Sequence, residues 1–436
     1  MRILVLLALV SALAYGDDQL AKEVHTIENY CGPALKDKLL DRTQDGQCIQ
    51  PIVNGSPLHL NAKMFAPGNG LGLGLGYKRE FTFGEAWRNN WDLGGMGSVQ
   101  GAWEAHFIAV LDKERPAPSM TDTTPPGRRI VEKFEILPYV TAQQLTKLDF
   151  YGEGPNSFRT LAALYTERDI RVGVGLSIPL AWWLNAGAQA EGLWPAIGPN
   201  STTTIPSVAA AYQLNPSFAP GIVSQPAFTH YQFYLRPHIP NQDPFDVIDK
   251  IGYEYYQDPG AGQYSFGRFR ADLLTNLYPE HAGKARRRDS IFSIYARLTL
   301  AQTANGNAVP FYLQDTLGGT DINGDPVLRG FADYRFRAPD NMVFEVEFNR
   351  RIWKPLGIML FYDTGEVAAQ ASDLSFAHMR QSVGGGLTLW SASKVVFRAY
   401  VGFGGGEGMH IFEGIMPLPG PVAAPYRTYD VQSIGR

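Results

Sequence analysis

Charge is scarce in this sequence. Asp, Glu, Lys and Arg supply 18% of its 436 residues, against roughly 25% in an average soluble domain. There is no basic surplus: the formal net charge is -4, which excludes the cationic stripe that nucleic acid binding requires. Long apolar runs are missing after the first few residues. Membrane-spanning helices need about 20 such residues in a row, so they are excluded. Enzyme and cofactor motifs are missing too. The eight histidines form no HExxH pair, so a zinc protease site has no ligands. Ser98 lacks the glycine two residues before it that a nucleophile elbow needs. A lipase pairing of Ser293 with His378 across strands stays open from spacing alone, but the expectation is no enzyme, no metal and no cofactor.

Glycine is abundant, at 46 residues, and aromatics reach 12%. Gly70–Tyr77 reads GLGLGLGY. Leucines take one face and glycines the other, because a strand sends successive side chains to opposite sides. It is not a nucleotide loop, since Leu75 stands where a GxGxxG needs its last glycine. Bare glycine on the inner face suits bending or close approach. Further alternating segments are expected as strands at 95–111, 128–140, 160–178, 181–194, 206–213, 227–238, 246–257, 264–277 and 289–302. Others follow at 342–351, 357–367, 380–390, 393–403 and 408–416. With the first strand these make fifteen, and a split of 95–111 makes sixteen. Closed single-chain membrane barrels use even numbers. A tilted spanning strand needs about 9–11 residues, whereas strands in globular proteins average about 5–6, so length favours a transmembrane antiparallel β-barrel over a sandwich. Trp87, Trp91, Trp182, Trp183, Trp194, Tyr253, Tyr255, Tyr256, Trp353 and Trp390 sit near segment ends, where an interfacial girdle is expected. Long connections at 112–127, 195–226, 278–289 and 303–341 alternate with tight turns at 351–357 and 390–394.

The chain divides into four parts. Residues 1–16 hold one positive charge, a short apolar core and an A-x-A end, the pattern of a secretory signal peptide. Residues 17–66 form a polar segment carrying Cys31 and Cys48. An exported pair is expected to form a disulfide, contributing about 3 kcal/mol; a metal site would have only His25 and His59 to add. The barrel is expected over 67–416, and residues 417–436 form a proline-rich tail.

The stretch from Leu317 to Gly365 organises the rest. It carries Leu317-Gly318-Gly319, then Leu328-Arg329-Gly330-Phe331, then Arg335, Phe336 and Arg337. Glu347-Phe348 and Phe361-Tyr362-Asp363-Thr364-Gly365 follow, and Ser382–Leu387 reads SVGGGL. This ordered set resembles the signature of the bacterial surface antigen superfamily, the outer-membrane protein assembly barrels. About 130 residues at the C-terminal end are covered by the resemblance. Upstream, Asp149–Asn156 is similar to a loop in barrel-only members. The 17–66 segment is too short for the family's periplasmic POTRA repeats, so the expectation is a barrel-only member.

The resemblance implies a site. The signature loop folds into the lumen and Arg329 docks on Glu347 and Asp363. Charge-assisted, bidentate bonds to carboxylates would fix it there. Phe331 packs beside it, and Gly330 is expected to turn the backbone. The role is a structural lock. Asp321-x-Asn323-x-Asp325 mimics the start of a calcium loop, but Pro326 and Ala332 replace the required Gly and Glu, which favours a polar turn. Arg286-Arg287-Arg288, with Lys284 and His281, is either a solvated loop or a contact for lipopolysaccharide. The implied location is the bacterial outer membrane, with its lipid as solvent. Implied partners are a polypeptide client or a periplasmic protein. The implied role is assembly or translocation of polypeptide; a gated or passive pore, or a purely structural barrel, stays open.

Overall fold

The computed structural model describes residues 58–415 apart from 84–86, 115–132, 182, 213–214, 243–244, 279–288, 305, 323–324, 354 and 392–393. Sixteen strands form one sheet in chain order. They are β1 (Leu58–Met64), β2 (Leu71–Phe83), β3 (Trp87–Gly97), β4 (Trp103–Glu114), β5 (Lys133–Phe150), β6 (Ala163–Ala181), β7 (Leu184–Asn200) and β8 (Phe228–Gln242). Next come β9 (Phe245–Gln257), β10 (Phe266–Leu277) and β11 (Ser290–Thr303). A two-residue ribbon, β12 (Thr316–Leu317) paired with β13 (Phe336–Arg337), interrupts the series. The sheet resumes with β14 (Asp340–Trp353), β15 (Leu356–Ala368), β16 (Arg380–Ser391), β17 (Lys394–Gly404) and β18 (Gly408–Ile415). Every neighbouring pair is antiparallel. β1 and β18 approach within 8 Å, so the sheet curls back on itself. Among the described residues no hydrogen-bonded ladder joins these two edges, which leaves a seam.

The period-two pattern sorts side chains as expected. On β2, Leu73 and Leu75 are 61% and 62% exposed while Gly72 and Gly76 are buried. On β14 and β15, Glu345, Glu347, Asn349, Phe361 and Asp363 are buried, and Phe344, Leu360 and Tyr362 face out. Apolar outside and charged inside inverts a soluble sheet. Hydrocarbon is the surrounding that suits it, because the ladders satisfy the backbone internally.

Strand parity fixes two ends. The sheet starts and finishes at one end, here the base. The β11–β14 connection lies at the other, the mouth, with those after β5, β7, β15 and β17. At the mouth the lumen holds an apolar core. Phe65, Leu148, Phe150, Tyr165, Phe228 and Phe266 from turns and walls meet Val309, Phe311, Tyr312 and Tyr334 from the β11–β14 connection.

Several sequence expectations change. The expected strand 206–213 contains instead a short helix, α1 (Val208–Tyr212). The Ser207 hydroxyl accepts from the Ala210 N–H at 3.2 Å, and an alanine run behind such a cap favours helix. The sheet begins at Leu58, ahead of the expected boundary at 67; the alternation of His59, Asn61 and Lys63 with Leu60, Ala62 and Met64 was hidden between Pro57 and Pro67. The segment 95–111 splits at residues 98–102. Sixteen therefore stands through offsetting changes. Tyr256 and Trp390 point inward and leave the expected girdle: Tyr256 stacks on Phe266 at 4.6 Å, and Trp390 donates to the Thr388 hydroxyl at 2.9 Å. Long connections occur at both ends. The one bearing Arg286–Arg288 joins β10 to β11 at the base. That run's own residues, like the 1–16 leader, Cys31, Cys48 and the 417–436 tail, lie outside the described residues.

Leu360 projects from the middle of β15 and is 58% exposed. Leu360→Arg is expected to lower stability in bilayers by about 2–4 kcal/mol, as for cations at the midplane. Val99→Arg, in the β3–β4 turn, is expected to leave it unchanged. Urea titration of refolded protein checks both.

Candidate functional site: an arginine buried against the wall

The connection from 304 to 339 is shaped before it docks. The β12–β13 ribbon ties its two legs. Gly318 and Gly319 adopt positive φ, 114° and 56°, which suits glycine. Leu317, Val327, Leu328, Phe331 and Phe336 pack on Tyr295, Val343 and Val367 of the wall. At the tip the Phe331 N–H donates to the Leu328 carbonyl at 3.0 Å, closing a turn.

Arg329 leaves that turn and enters the wall. Its backbone N–H donates to Asp363 Oδ2 at 2.9 Å. Its side chain donates from Nε to Oδ2 at 3.0 Å and from Nη2 to Oδ1 at 2.6 Å, a two-pronged grip. Nη1 donates to Glu347 Oε2. The guanidinium lies 3.7 Å over the Phe361 ring. Cation–π attraction of about 2 kcal/mol is typical at such desolvated sites. Arg329, Glu347 and Asp363 are all at most 2% exposed.

Register explains why these residues meet. Glu347 stands opposite Phe361, and Asp363 stands opposite both Glu345 and Ser382. The two carboxylates are thus diagonal neighbours on one face, spaced for a single guanidinium. Other groups complete the cluster. Ser382 Oγ donates to Asp363 Oδ2 at 3.0 Å. Asn349 Nδ2 donates to Glu347 Oε1 at 2.6 Å, and Arg398 Nη2 lies 3.1 Å from the same oxygen. Sequence reasoning missed Asn349, Arg398 and the ring under the cation. Period-two alternation did carry them, since Asn349 follows Glu347 by two, and Phe361 precedes Asp363 by two.

Gly330 acts differently from expectation. Positive φ falls on Leu328, at 50°, and Gly330 does not share it. Its need is closeness: a Cβ there would sit 2.3 Å from the Phe403 carbonyl carbon. A Cβ at Gly402 would sit 2.4 Å from the Arg329 carbonyl oxygen. Loop backbone therefore lies directly on β17 backbone. Phe331 packs edge-on to Phe336 at 5.2 Å.

Further ties run across the mouth. Arg335 bonds Glu407 Oε1 at 2.5 Å and Ser157 Oγ at 2.7 Å. Arg337 Nη2 donates to the Tyr165 hydroxyl at 2.9 Å. Loop residue Asp315 receives Arg270 Nη1 at 3.1 Å and the Thr299 hydroxyl at 3.0 Å. Asp321 Oδ1 accepts from the Asp325 N–H at 2.9 Å, and its Oδ2 lies 3.6 Å from Arg297 Nη1; Asn323 lies outside the described residues. Ser293 donates to Asn276 at 2.7 Å on the wall near the base, and His378 sits in the β15–β16 connection at the mouth, so the pair suggested for a lipase is not brought together.

No family model matches the chain, and no curated protein matches it. Solved structures do. The crystal structure of BamA from Haemophilus ducreyi lacking POTRA domains 1–3 superposes with a TM-score of 0.52 at 12% identity, covering 82% of this chain and 69% of that one. The chain shares the BamA fold. CdiB from Escherichia coli, at TM-score 0.44 and 11% identity, covers 90% and 72% of the two chains. CdiB from Acinetobacter baumannii, at 0.43 and 9%, covers 85% and 67%. BamA and CdiB are both surface antigen superfamily barrels. The resemblance drawn from the signature residues thus holds at the level of fold, carried by BamA.

Two predictions follow from the packing. Gly330→Val and Gly402→Val each place carbon inside a backbone contact and are expected to cost the docked loop about 1–3 kcal/mol. Trypsin cleavage after Arg335 and Arg337 in the folded protein should accelerate in step. The second concerns Glu153 in the β5–β6 connection, which accepts from Gln314 Nε2 at 2.5 Å. Burial pushes its carboxyl up to about 7. The folded state then holds the proton more tightly than the unfolded one. This contribution is complete below the ordinary carboxyl range and is lost as pH rises to about 7. Glu153→Gln is expected to flatten that part of the stability–pH curve, measured by thermal melting.

Proposed function

We propose that this chain is an outer-membrane barrel of the surface antigen superfamily that assembles or translocates polypeptide, with Arg329 docked on Glu347 and Asp363 as the lock of its signature loop. The observation carrying this reading is the buried cation in its two-carboxylate seat, on a fold shared with BamA. An outer-membrane location is part of the same reading, supported by the apolar exterior. The lock spans β14 to β17 and stops one strand short of the seam. It stiffens the wall there while leaving β1 and β18 without a joining ladder. An edge with unpaired N–H and C=O groups is a template for another strand, which is what a barrel client offers. A gated pore is the second reading, favoured by the polar lumenal wall; the packed mouth argues against an open passive pore.

Depletion in the native bacterium is expected to lower the levels of other outer-membrane proteins. Purified chain in liposomes should speed the insertion of an unfolded barrel. Steady single-channel conductance without either effect would favour the pore and overturn the assembly reading. Arg329→Ala strands two buried carboxylates and should cost about 3–5 kcal/mol, seen as lost heat-modifiability on gels. Arg329→Glu should be worse, since three anions then share the seat; equal effects would remove the lock.

A further inference from the structure

The glycine face of β2 is not used by the lock. Among the described residues β1 pairs only with β2, and its other edge faces the seam. In register, His59 stands opposite Gly76, Asn61 opposite Gly74 and Lys63 opposite Gly72. None of these partners has a side chain, so the inner side chains of β1 lie across β2 and reach the strands beyond. His59 Nε2 is 3.4 Å from Asp92 Oδ2 on β3. His106 Nε2 on β4 is 3.6 Å from the other oxygen of the same carboxylate. Lys63 Nζ is 2.9 Å from Glu104 Oε2 on β4.

The glycines are required for this. A Cβ at Gly76 would sit 2.3 Å from His59 Nε2. One at Gly94 on β3 would sit 2.7 Å from Asn61 Nδ2 and 2.7 Å from His106 Cε1. Glycine weakens a strand interior. Here the bare positions form a trench that the polar groups of β1 fill.

We infer that the terminal strand β1 is held to the barrel by a clasp of His59 and His106 on Asp92, laid through the glycine trench, that tightens when the imidazoles are protonated. This rests on the seam reading above and adds a control to it. Histidine is the side chain that gains charge between about pH 8 and pH 5. Other charged groups surround the clasp. They are Lys63 on β1, Lys78 on β2 opposite Asp92, and Glu104 on β4, with the Arg88–Asp112 register pair toward the base. His410, on the facing edge strand β18, is the other nearby histidine on an element beside β1. An imidazolium against Asp92 adds attraction that the neutral ring lacks. As pH rises through that range, β1 loosens from its inner side.

The full chain with Cys31→Ser and Cys48→Ser is spin-labelled at Leu60→Cys on β1 and Tyr253→Cys on β9, both outward-facing. Distances are measured in liposomes by pulsed electron resonance at about pH 5.5 and about pH 8. A reference pair at Val140→Cys and Leu360→Cys reports the fixed wall. The β1 distribution should be about twofold narrower at the acid pH, where His carries charge, and the reference pair should not change. His59→Gln with His106→Gln keeps polar groups that do not titrate and should abolish the difference. Gly76→Val occupies the seat of His59 and should give the broad distribution at both pH values. A wild-type distribution that is broad at both pH values sinks the clasp and leaves the seam reading standing. One that is narrow at both sinks the clasp and also counts against a mobile seam. A pH response that survives the double glutamine variant overturns the assignment to these histidines.

Discussion

A guanidinium removed from water must be surrounded by opposite charge, and this requirement shapes the C-terminal half of the barrel. Arg329 spends its backbone N–H and three side-chain nitrogens on Asp363 and Glu347, and rests its face on Phe361. Those carboxylates in turn engage Ser382, Asn349 and Arg398. Removing either anion would leave the cation only partly compensated in a dry site, so the cluster behaves as one unit. Loop and wall are also matched in the opposite sense. Asp315 of the loop meets Arg270 of β10, so the long connection is held by its positive tip on one side and a negative residue on the other.

That double anchoring changes what the lumen is. At the mouth the aromatic residues of the connection meet aromatics from the walls, and the interior resembles the core of a soluble domain. Toward the base, inward side chains such as Arg236, Lys250, Asn276 and Thr388 are polar. The molecule is thus a cup more than a tube. Among the described residues, the strand order of the wall is left open between β1 and β18.

Much of this was legible in the sequence, because a strand's period of two leaves a direct trace. Leu73 against Gly72, and Leu360 against Phe361, are sorted by alternation alone. The carboxylates of the seat were legible through the signature residues. What escaped did so for physical reasons. Gly330 suits a turn on sequence alone, since sequence shows that a position is bare but not whether φ or crowding demands it. Residues 206–213 alternate weakly, and a serine cap with alanines tipped them to helix. Tyr256 and Trp390 sit near strand ends like girdle residues, yet which face they take depends on register that composition does not reveal. The first strand escapes notice because a seven-residue strand between prolines gives too few alternations to stand out.

The chain order of the buried arginine and its seat has a kinetic consequence. Arg329 precedes every strand that receives it: β14, β15, β16 and β17 all follow it along the polypeptide. Emerging from its N-terminal end, the chain therefore presents the cation before any seat exists. The two carboxylates come together when β14 pairs with β15, and the backbone contact with Gly402 further needs β17, so full docking follows the pairing of these strands.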